Sequence, residues 1–116
     1  MAVHNFKELK IWQKSMELSE AIYLLTANFS NTEKYGLIVQ MQKCAVSIPS
    51  NISEGSGRGT NDSFKYFLSV ALGSAFELET QLLLSKRLNL ADDTNEIVLN
   101  LNEIQKMIRG FQNSLN

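Results

Sequence analysis

Apolar residues recur along this chain at spacings of three and four, which is the period of an amphipathic α-helix. The clearest stripe lies near the C-terminal end and consists of Ile97, Leu101, Ile104, Ile108, Phe111 and Leu115. Wider stripes follow the same spacing within residues 9–26, 37–52 and 64–84. Since no window alternates with a period of two, the pattern predicts four helices and no β-strand.

Pairs of polar residues with capping spacing precede the stripes and mark the expected helix starts. They are Ser30 with Glu33, Asp93 with Glu96 and, more weakly, Asn5 with Glu8. Thr60 followed by Asp62 marks the start of the third helix, because the acid lies near the positive end of that helix. The connectors between the stripes are short, and short connectors place consecutive helices side by side and antiparallel. We therefore predict an all-α fold, an antiparallel up-down-up-down four-helix bundle, as a single domain over residues 1–116.

The second stripe contains the only proline of the chain, Pro49, within the segment CAVSIPSNISEGSGRG. A proline inside a helix removes one amide donor and clashes with the carbonyl four residues earlier, here that of Ala45, at a cost of roughly 3 kcal/mol. We expect a kink between Ala45 and Ile48. The freed carbonyls would then accept hydrogen bonds from water or from the side chains of Ser47, Ser50 or Asn51. The alternative is a helix that ends at Ile48.

The same segment ends in three glycines at alternate positions, Gly55, Gly57 and Gly59. Glycine tolerates positive φ, so these residues suit a helix terminus followed by a tight reversal. A phosphate-binding loop would need a lysine or a preceding strand that this segment lacks. We interpret the segment as a plain turn, and the alternative is an anion held by Arg58 and the amides that open the third helix.

Three segments carry a family resemblance: FKELKIWQKSMELSEAIY, EKYGLIVQMQKCAVSIPSNISEGSGRG and FLSVALGSAFELETQLLLSKRL. They resemble the bacterial four-helix-bundle family of 23S rRNA intervening sequence proteins, which includes the accessory variability protein of diversity-generating retroelements. The resemblance covers nearly the whole chain, and its most specific part is the motif S-I-P-S-N-I-x-E-G. It implies a homopentamer with a central channel, a role in binding RNA or DNA, and no enzyme activity.

One position departs from the family. Where members commonly carry two arginines, this chain has Gln42 and Lys43, so half of the local positive charge is lost. Within and beside the motif, we assign structural and assembly roles to Ser47, Pro49, Asn51, Glu54 and Gly55.

Apolar residues also exceed what one bundle core can hold. On the second helix they are Val46, Ile48, Pro49 and Ile52, and on the third helix Phe76, Leu83 and Leu84. Surplus apolar surface commonly marks a contact with another molecule, which predicts an oligomer independently of the resemblance. The alternative is a thick core within one subunit.

Eleven Lys and Arg against twelve Asp and Glu give the 116 residues a formal net charge of -1. The protein therefore has no global basic field that would draw it to nucleic acid or to an anionic membrane. A single cysteine excludes an intrachain disulfide, and charges interrupt the N-terminal segment where an export signal needs an apolar run. We expect a cytoplasmic protein without a membrane-spanning segment.

Side chains suited to catalysis or metal binding are few. The only histidine, His4, precedes the first helix, whereas a di-iron bundle needs paired Glu-x-x-His motifs. Cys44 lies on an apolar helix face with no histidine to activate it, so we interpret it as a small buried hydrophobe. Glu77 and Glu79 point about 200° apart on a helix and cannot form a catalytic pair. We predict no enzyme activity, no metal and no cofactor.

Glu79 lies beside Ala75 and Leu82 on the third stripe, which places it toward the interior. We therefore expect its carboxylate to contact Ser47 or Asn51 across the second and third helices, in a structural role.

The best candidate for a nucleic-acid contact is a lysine stripe on the first helix. Lys7, Lys10 and Lys14 are spaced by three and four, and Lys43 and Arg58 are further candidates. Five copies in a ring would multiply a weak patch, because the phosphate contribution grows with the number of neutralised charges. Such a stripe is also typical of an ordinary solvated face. The competing function is a scaffold that recruits another protein without contacting nucleic acid.

Overall fold

The computed structural model describes residues 4–30 and 34–115. Within these residues the chain forms a 3-10 turn at Phe6–Glu8, a turn at Lys34–Ile38 in which the backbone of Gly36 is non-helical, four α-helices and no strand. The helices are α1, Lys10–Thr26; α2, Val39–Ser56; α3, Asn61–Arg87; and α4, Asn95–Ser114. The prediction of an all-α four-helix bundle is confirmed.

Each helix packs against its neighbour in sequence, and α1 also packs against α4. The contacts between α2 and α3 run in opposite directions along the two helices. Ser47 of α2 meets Ser74 of α3, whereas Met41, earlier in α2, meets Ser85, later in α3. This order of contacts is that of antiparallel neighbours.

The core is built from the apolar stripes of all four helices. Its largest fully buried apolar side chains are Ile22, Met41, Ile48, Ile52, Phe64, Leu68, Leu78, Leu82, Leu101, Ile104 and Ile108. The expected apolar surplus on the second helix is therefore wrong for Ile48 and Ile52, and also for Pro49, which is buried as well. These residues are absorbed within the subunit because α2 lies between α1 and α3.

The expected surplus on the third helix has a different outcome. Phe76, Leu83 and Leu84 of α3 are exposed by 50%, 48% and 44%, and Val46 of α2 is exposed by 43%. The subunit's own core does not cover these four side chains, so apolar surface does remain for a partner.

Two helix starts have side-chain hydrogen bonds from residues with capping signals, although the N-cap of α4 is Thr94, whose own side chain makes no cap bond. Thr60 caps α3, because its hydroxyl accepts a hydrogen bond from the amide of Ser63 at 3.1 Å. The Asp93 carboxylate accepts one from the amide of Asn95 at 3.0 Å, at the first residue of α4. Both bonds satisfy amides that have no partner within their own helix.

The other two capping pairs behave differently. The side chain of Asn5 accepts a hydrogen bond from the amide of Lys7, but it caps the 3-10 turn, and α1 begins later at Lys10 without a side-chain cap. The pair of Ser30 and Glu33 lies partly outside the described residues, so its capping role stays a prediction.

Helix α2 continues through Pro49 and ends at Ser56, so the alternative of a helix that ends at Ile48 is wrong. The carbonyl of Ala45, which Pro49 deprives of its helical donor, accepts a hydrogen bond from the hydroxyl of Ser19 on α1 at 3.0 Å. The donor is thus a buried side chain of the neighbouring helix and not one of the candidates expected on α2, which were Ser47, Ser50 and Asn51. The kink itself stays a prediction.

Helix α3, with 27 residues, is long and apolar enough to cross a membrane by length and composition alone. By length and composition, α3 is thus an exception to the expectation that the protein has no membrane-spanning segment. Core helices of soluble proteins pass the same test. In this bundle Phe64, Leu68 and Leu78 of α3 are fully buried, but only 33% of its most apolar window is buried, so α3 faces the core on one side only.

Candidate assembly and nucleic-acid surfaces

A groove with a volume of about 560 Å³ runs along the surface between α1 and α2, and we call it the α1/α2 groove. It is lined by Phe6, Trp12, Met16, Ser19, Glu20, Tyr23, Val46, Pro49, Ser50 and Ser53. Three of its apolar side chains are well exposed: Met16 by 39%, Tyr23 by 48% and Val46 by 43%. A concave surface of this composition suits the apolar surface of another protein.

The groove lies next to a close contact between α1 and α2. Small side chains are buried there, namely Ser15, Ser19 and Ala45. The single proton of the Ser19 hydroxyl is shared between the carbonyl of Ser15 at 2.9 Å and that of Ala45 at 3.0 Å. Pro49, one turn beyond Ala45, contributes to the groove lining. Because Pro49 is itself buried, the exposed apolar surface of the groove comes from Met16, Tyr23 and Val46 instead.

Ser47 and Asn51 lie on the side of α2 that faces α3. The Ser47 hydroxyl is hydrogen-bonded to that of Ser74 at 2.8 Å. The Asn51 side chain donates to the Ser47 carbonyl at 2.7 Å and to its hydroxyl at 3.0 Å. This network ties α2 to α3, which is a structural role.

The expected contact of Glu79 with Ser47 or Asn51 is wrong. The Glu79 carboxylate accepts a hydrogen bond from the side chain of Gln105 on α4 at 2.9 Å. Glu79 follows Ser74, the partner of Ser47, by five residues, and positions five apart on a helix point about 140° away from each other. Glu79 therefore has a structural role between α3 and α4.

Gly55 lies where α2 and α3 approach most closely in the motif. A Cβ atom there would lie 2.7 Å from Cβ of Phe67 and 2.9 Å from Cδ1 of Phe64. Arg58, just after α2, forms an ion pair with Glu54 at 3.2 Å, and its guanidinium lies 4.8 Å from the centre of the Phe67 ring. Arg58 is thus held against the protein, which favours the plain-turn interpretation over an anion site.

The lysines predicted to contact nucleic acid are not gathered into one stripe. Lys7 lies in the 3-10 turn, so its spacing to Lys10 does not follow a helix. Lys14 faces α4 and forms an ion pair with Glu103 at 3.4 Å. Lys43 lies on α2 in a hollow that adjoins Tyr23. Lys7, Lys14 and Lys43 therefore lie on separate surfaces.

Of the two residues that replace the family's arginine pair, Gln42 has a structural contact and Lys43 does not. The Gln42 side chain donates a hydrogen bond to the Thr26 hydroxyl at the end of α1, at 3.2 Å. Lys43, its neighbour, is exposed. Only one of the two positions thus presents a charge to solvent.

Cys44 is buried, and this burial raises the pKa of its thiol above the ordinary value. A hydrogen bond with Gln81 opposes the shift, and the carboxylate of Glu77 adds to it. The thiol is therefore protonated at neutral pH, which makes it a poor nucleophile. Among the described residues no three His, Cys, Asp or Glu side chains lie close enough together to hold a metal ion.

Residues 7–110 match the family described as 23S rRNA-intervening sequence protein. The chain belongs to this family. The resemblance expected from the three quoted segments is thereby confirmed at the family level. No curated protein matches this chain.

A solved structure supports the same assignment. This member of the intervening sequence family is similar to a crystal structure at 1.70 Å resolution from Bacteroides thetaiotaomicron, of a protein with unknown function from the S23 ribosomal protein family. The TM-score is 0.82 at 25% sequence identity, over 90% of this chain and 96% of that one. The four-helix arrangement is therefore shared over nearly the full length of both chains.

Two surfaces of this family member were missed by sequence reasoning. Met16 and Tyr23 fall on the wide apolar stripe of residues 9–26, so the sequence alone does not distinguish them from core residues. The sequence likewise indicates no role for Lys106 and Arg109, because α4 shows only the pattern of an amphipathic helix. Their spacing of three residues, which places both on one side of α4, was the available signal.

Proposed function

We propose that this protein is a non-enzymatic homo-oligomer, a homopentamer as the family resemblance implies, and that the assembled ring binds nucleic acid. The observation that carries the proposal is the α1/α2 groove, where Met16, Tyr23 and Val46 expose apolar surface that the subunit itself does not cover. Burying such surface is the main driving force of stable association.

The shape of the surface supports a ring. The α1/α2 groove is concave, whereas α3 carries exposed Val70 and Leu84 on a helix that packs against α2 and α4. A groove on one subunit that receives a ridge from the next is a head-to-tail contact, and such contacts close into rings when the rotation fits. A two-fold dimer would instead need one patch that is complementary to itself.

The ring accounts for how a chain with a net charge of -1 binds a polyanion. Lys7, Lys10 and Lys43 form no ion pair within the described residues, and assembly presents several copies of each on one particle. Because the phosphate contribution grows with the number of neutralised charges, several weak patches on one particle bind more tightly than one.

A mobility-shift titration on structured RNA and on duplex DNA, at low and at moderate salt, tests the proposal. We expect the wild-type protein to shift at least one of them at low salt and to bind less tightly as salt rises. Tyr23→Glu places a charge in the groove, so it should break the ring and weaken binding, whereas Leu99→Glu, on exposed α4 surface, should leave both unchanged. Absence of any shift at the lower salt would end the nucleic-acid part of the proposal.

The second candidate is a scaffold that recruits another protein. It is favoured by the ion pairs that already engage Lys14 and Arg58, because these leave fewer cations for phosphates. A pull-down that retains a specific protein after nuclease treatment, and loses it with Tyr23→Glu, would support this function in place of the first.

A further inference from the structure

A second groove, of about 370 Å³, lies between α3 and α4, and we call it the α3/α4 groove. Its lining residues are Leu72, Phe76, Gln105, Lys106 and Arg109. The groove thus combines an aromatic ring that is 50% exposed with two cationic side chains and no carboxylate. It is separate from the α1/α2 groove, which lies between the other two helices.

The guanidinium of Arg109 is hydrogen-bonded to Gln112, which is itself bonded to α3. Its Nη1 donates to the side-chain oxygen of Gln112 at 2.8 Å. The Gln112 nitrogen in turn donates to the Ser69 hydroxyl at 2.7 Å and to the Lys65 carbonyl at 2.9 Å, both on α3. The chain of hydrogen bonds positions Arg109 at the groove and uses only one of its five N–H donors. Its other donors form no hydrogen bond within the described residues, so they can bind an anion.

The two cations of the groove, Lys106 and Arg109, form no ion pair within the described residues. Neither Lys106 nor Arg109 forms an ion pair with a carboxylate in the part of the chain that the structure describes, whereas Lys14 and Arg58 both do. The nearest acid bonded to the groove lining is Glu79, and its carboxylate accepts a hydrogen bond from Gln105. The groove therefore presents net positive charge beside an exposed ring.

We infer that the α3/α4 groove binds single-stranded nucleic acid, with an unpaired base stacked on Phe76 and flanking phosphates on Lys106 and Arg109. This inference rests on the proposed function and gives it a place and a substrate class. A ring set among cations is the arrangement by which proteins bind single strands, because an unpaired base offers a free face for stacking. Neighbouring positions on one helix face are about 5–6 Å apart, so two cations three residues apart can contact consecutive phosphates.

The test is fluorescence anisotropy with a labelled oligouridine of about 12 nucleotides and with a duplex RNA of the same length, both titrated at several salt concentrations. We expect wild type to bind the single strand more tightly than the duplex. Phe76→Leu keeps apolar volume but removes the ring, so it should raise the Kd for the single strand about fivefold or more. Phe76→Trp retains a stacking face and should preserve binding.

The contacts of Lys106 and Arg109 with phosphates are tested by the salt dependence of binding. The double variant Lys106→Gln with Arg109→Gln should reduce the slope of log K against log salt by about 1.4, since each phosphate contact on a single strand contributes about 0.7. The matched control is Lys86→Gln with Arg87→Gln, which removes the same charge from the last turn of α3, away from the groove. A merely structural role of Arg109 would lower stability without changing the salt slope.

The outcomes separate this inference from the proposed function. If wild type binds neither probe, both fail. If wild type binds but the Phe76→Leu and the double-glutamine variants bind equally well with the same salt slope, the groove assignment fails and the proposed function stands. If Phe76→Leu changes the molar mass in solution and leaves binding unchanged, the groove is a subunit contact and the inference is overturned.

Discussion

At the scale of single residues, Gly55 sets how closely α2 and α3 can approach. A Cβ atom there would lie 2.7 Å from Cβ of Phe67, an atom attached directly to the backbone of α3. The helices would have to shift to accommodate it. We predict that Gly55→Ala lowers the free energy of unfolding by about 1–3 kcal/mol, measured by chemical denaturation.

Gly73 supplies the matched control for this prediction. It lies inside α3, and a Cβ atom there would meet nothing within 4 Å. Gly73→Ala should therefore raise the free energy of unfolding by about 0.5–1 kcal/mol, because alanine costs less than glycine within a helix. If the two substitutions had the same sign and size, the close approach at Gly55 would not be what distinguishes them.

At the scale of elements, α2 depends on a hydrogen bond donated from outside the helix. Ser19→Ala removes the donor to the carbonyl of Ala45 and should lower the free energy of unfolding by about 1–3 kcal/mol. In a Pro49→Ala background, residue 49 regains an amide that can serve that carbonyl. The same serine substitution should then cost clearly less.

A double-mutant cycle measures this coupling by denaturation of four proteins: wild type, the two single variants and the double variant. We expect the effects of the two substitutions on the free energy of unfolding to be non-additive, because Ser19 and the amide of residue 49 serve the same carbonyl, that of Ala45. Strictly additive effects would show that the hydroxyl of Ser19 does not replace the bond lost at Pro49.

The elements themselves were largely predictable from the sequence, because the spacing of apolar residues depends only on local geometry. The start of α1 was not, since a capping residue such as Asn5 serves a 3-10 turn as well as an α-helix. The partner of the Ala45 carbonyl was also missed. Ser19 is 26 positions away in sequence, and no local rule connects the two.

The candidate sites were less predictable for the same reason. Helical spacing alone could not show that Glu79 turns toward Gln105 of α4, another partner 26 positions away. The prediction that Lys7 shares a helix face with Lys10 and Lys14 is wrong, because Lys7 lies in the 3-10 turn and helical spacing applies only within one helix. Burial of Ile48 and Ile52 depends on having neighbours on both sides of α2, which is a property of the whole bundle.

In the whole molecule, two surfaces differ in their chemistry. The α1/α2 groove is apolar and is assigned to assembly, whereas the α3/α4 groove carries Lys106 and Arg109 and is assigned to nucleic acid. Because the two lie between different helix pairs, variants in one leave the side chains of the other intact. Assembly and binding can therefore be tested separately, even though binding gains from assembly.

The proposed ring depends on contacts between subunits through the α1/α2 groove. Light scattering coupled to size exclusion, at tens of micromolar protein, measures this assembly directly. For a subunit of 13.1 kDa, we expect a pentamer of about 65 kDa for wild type and for Leu99→Glu, and a fall toward the monomer mass for Tyr23→Glu. A wild-type protein that elutes as a monomer of 13.1 kDa at that concentration would contradict it.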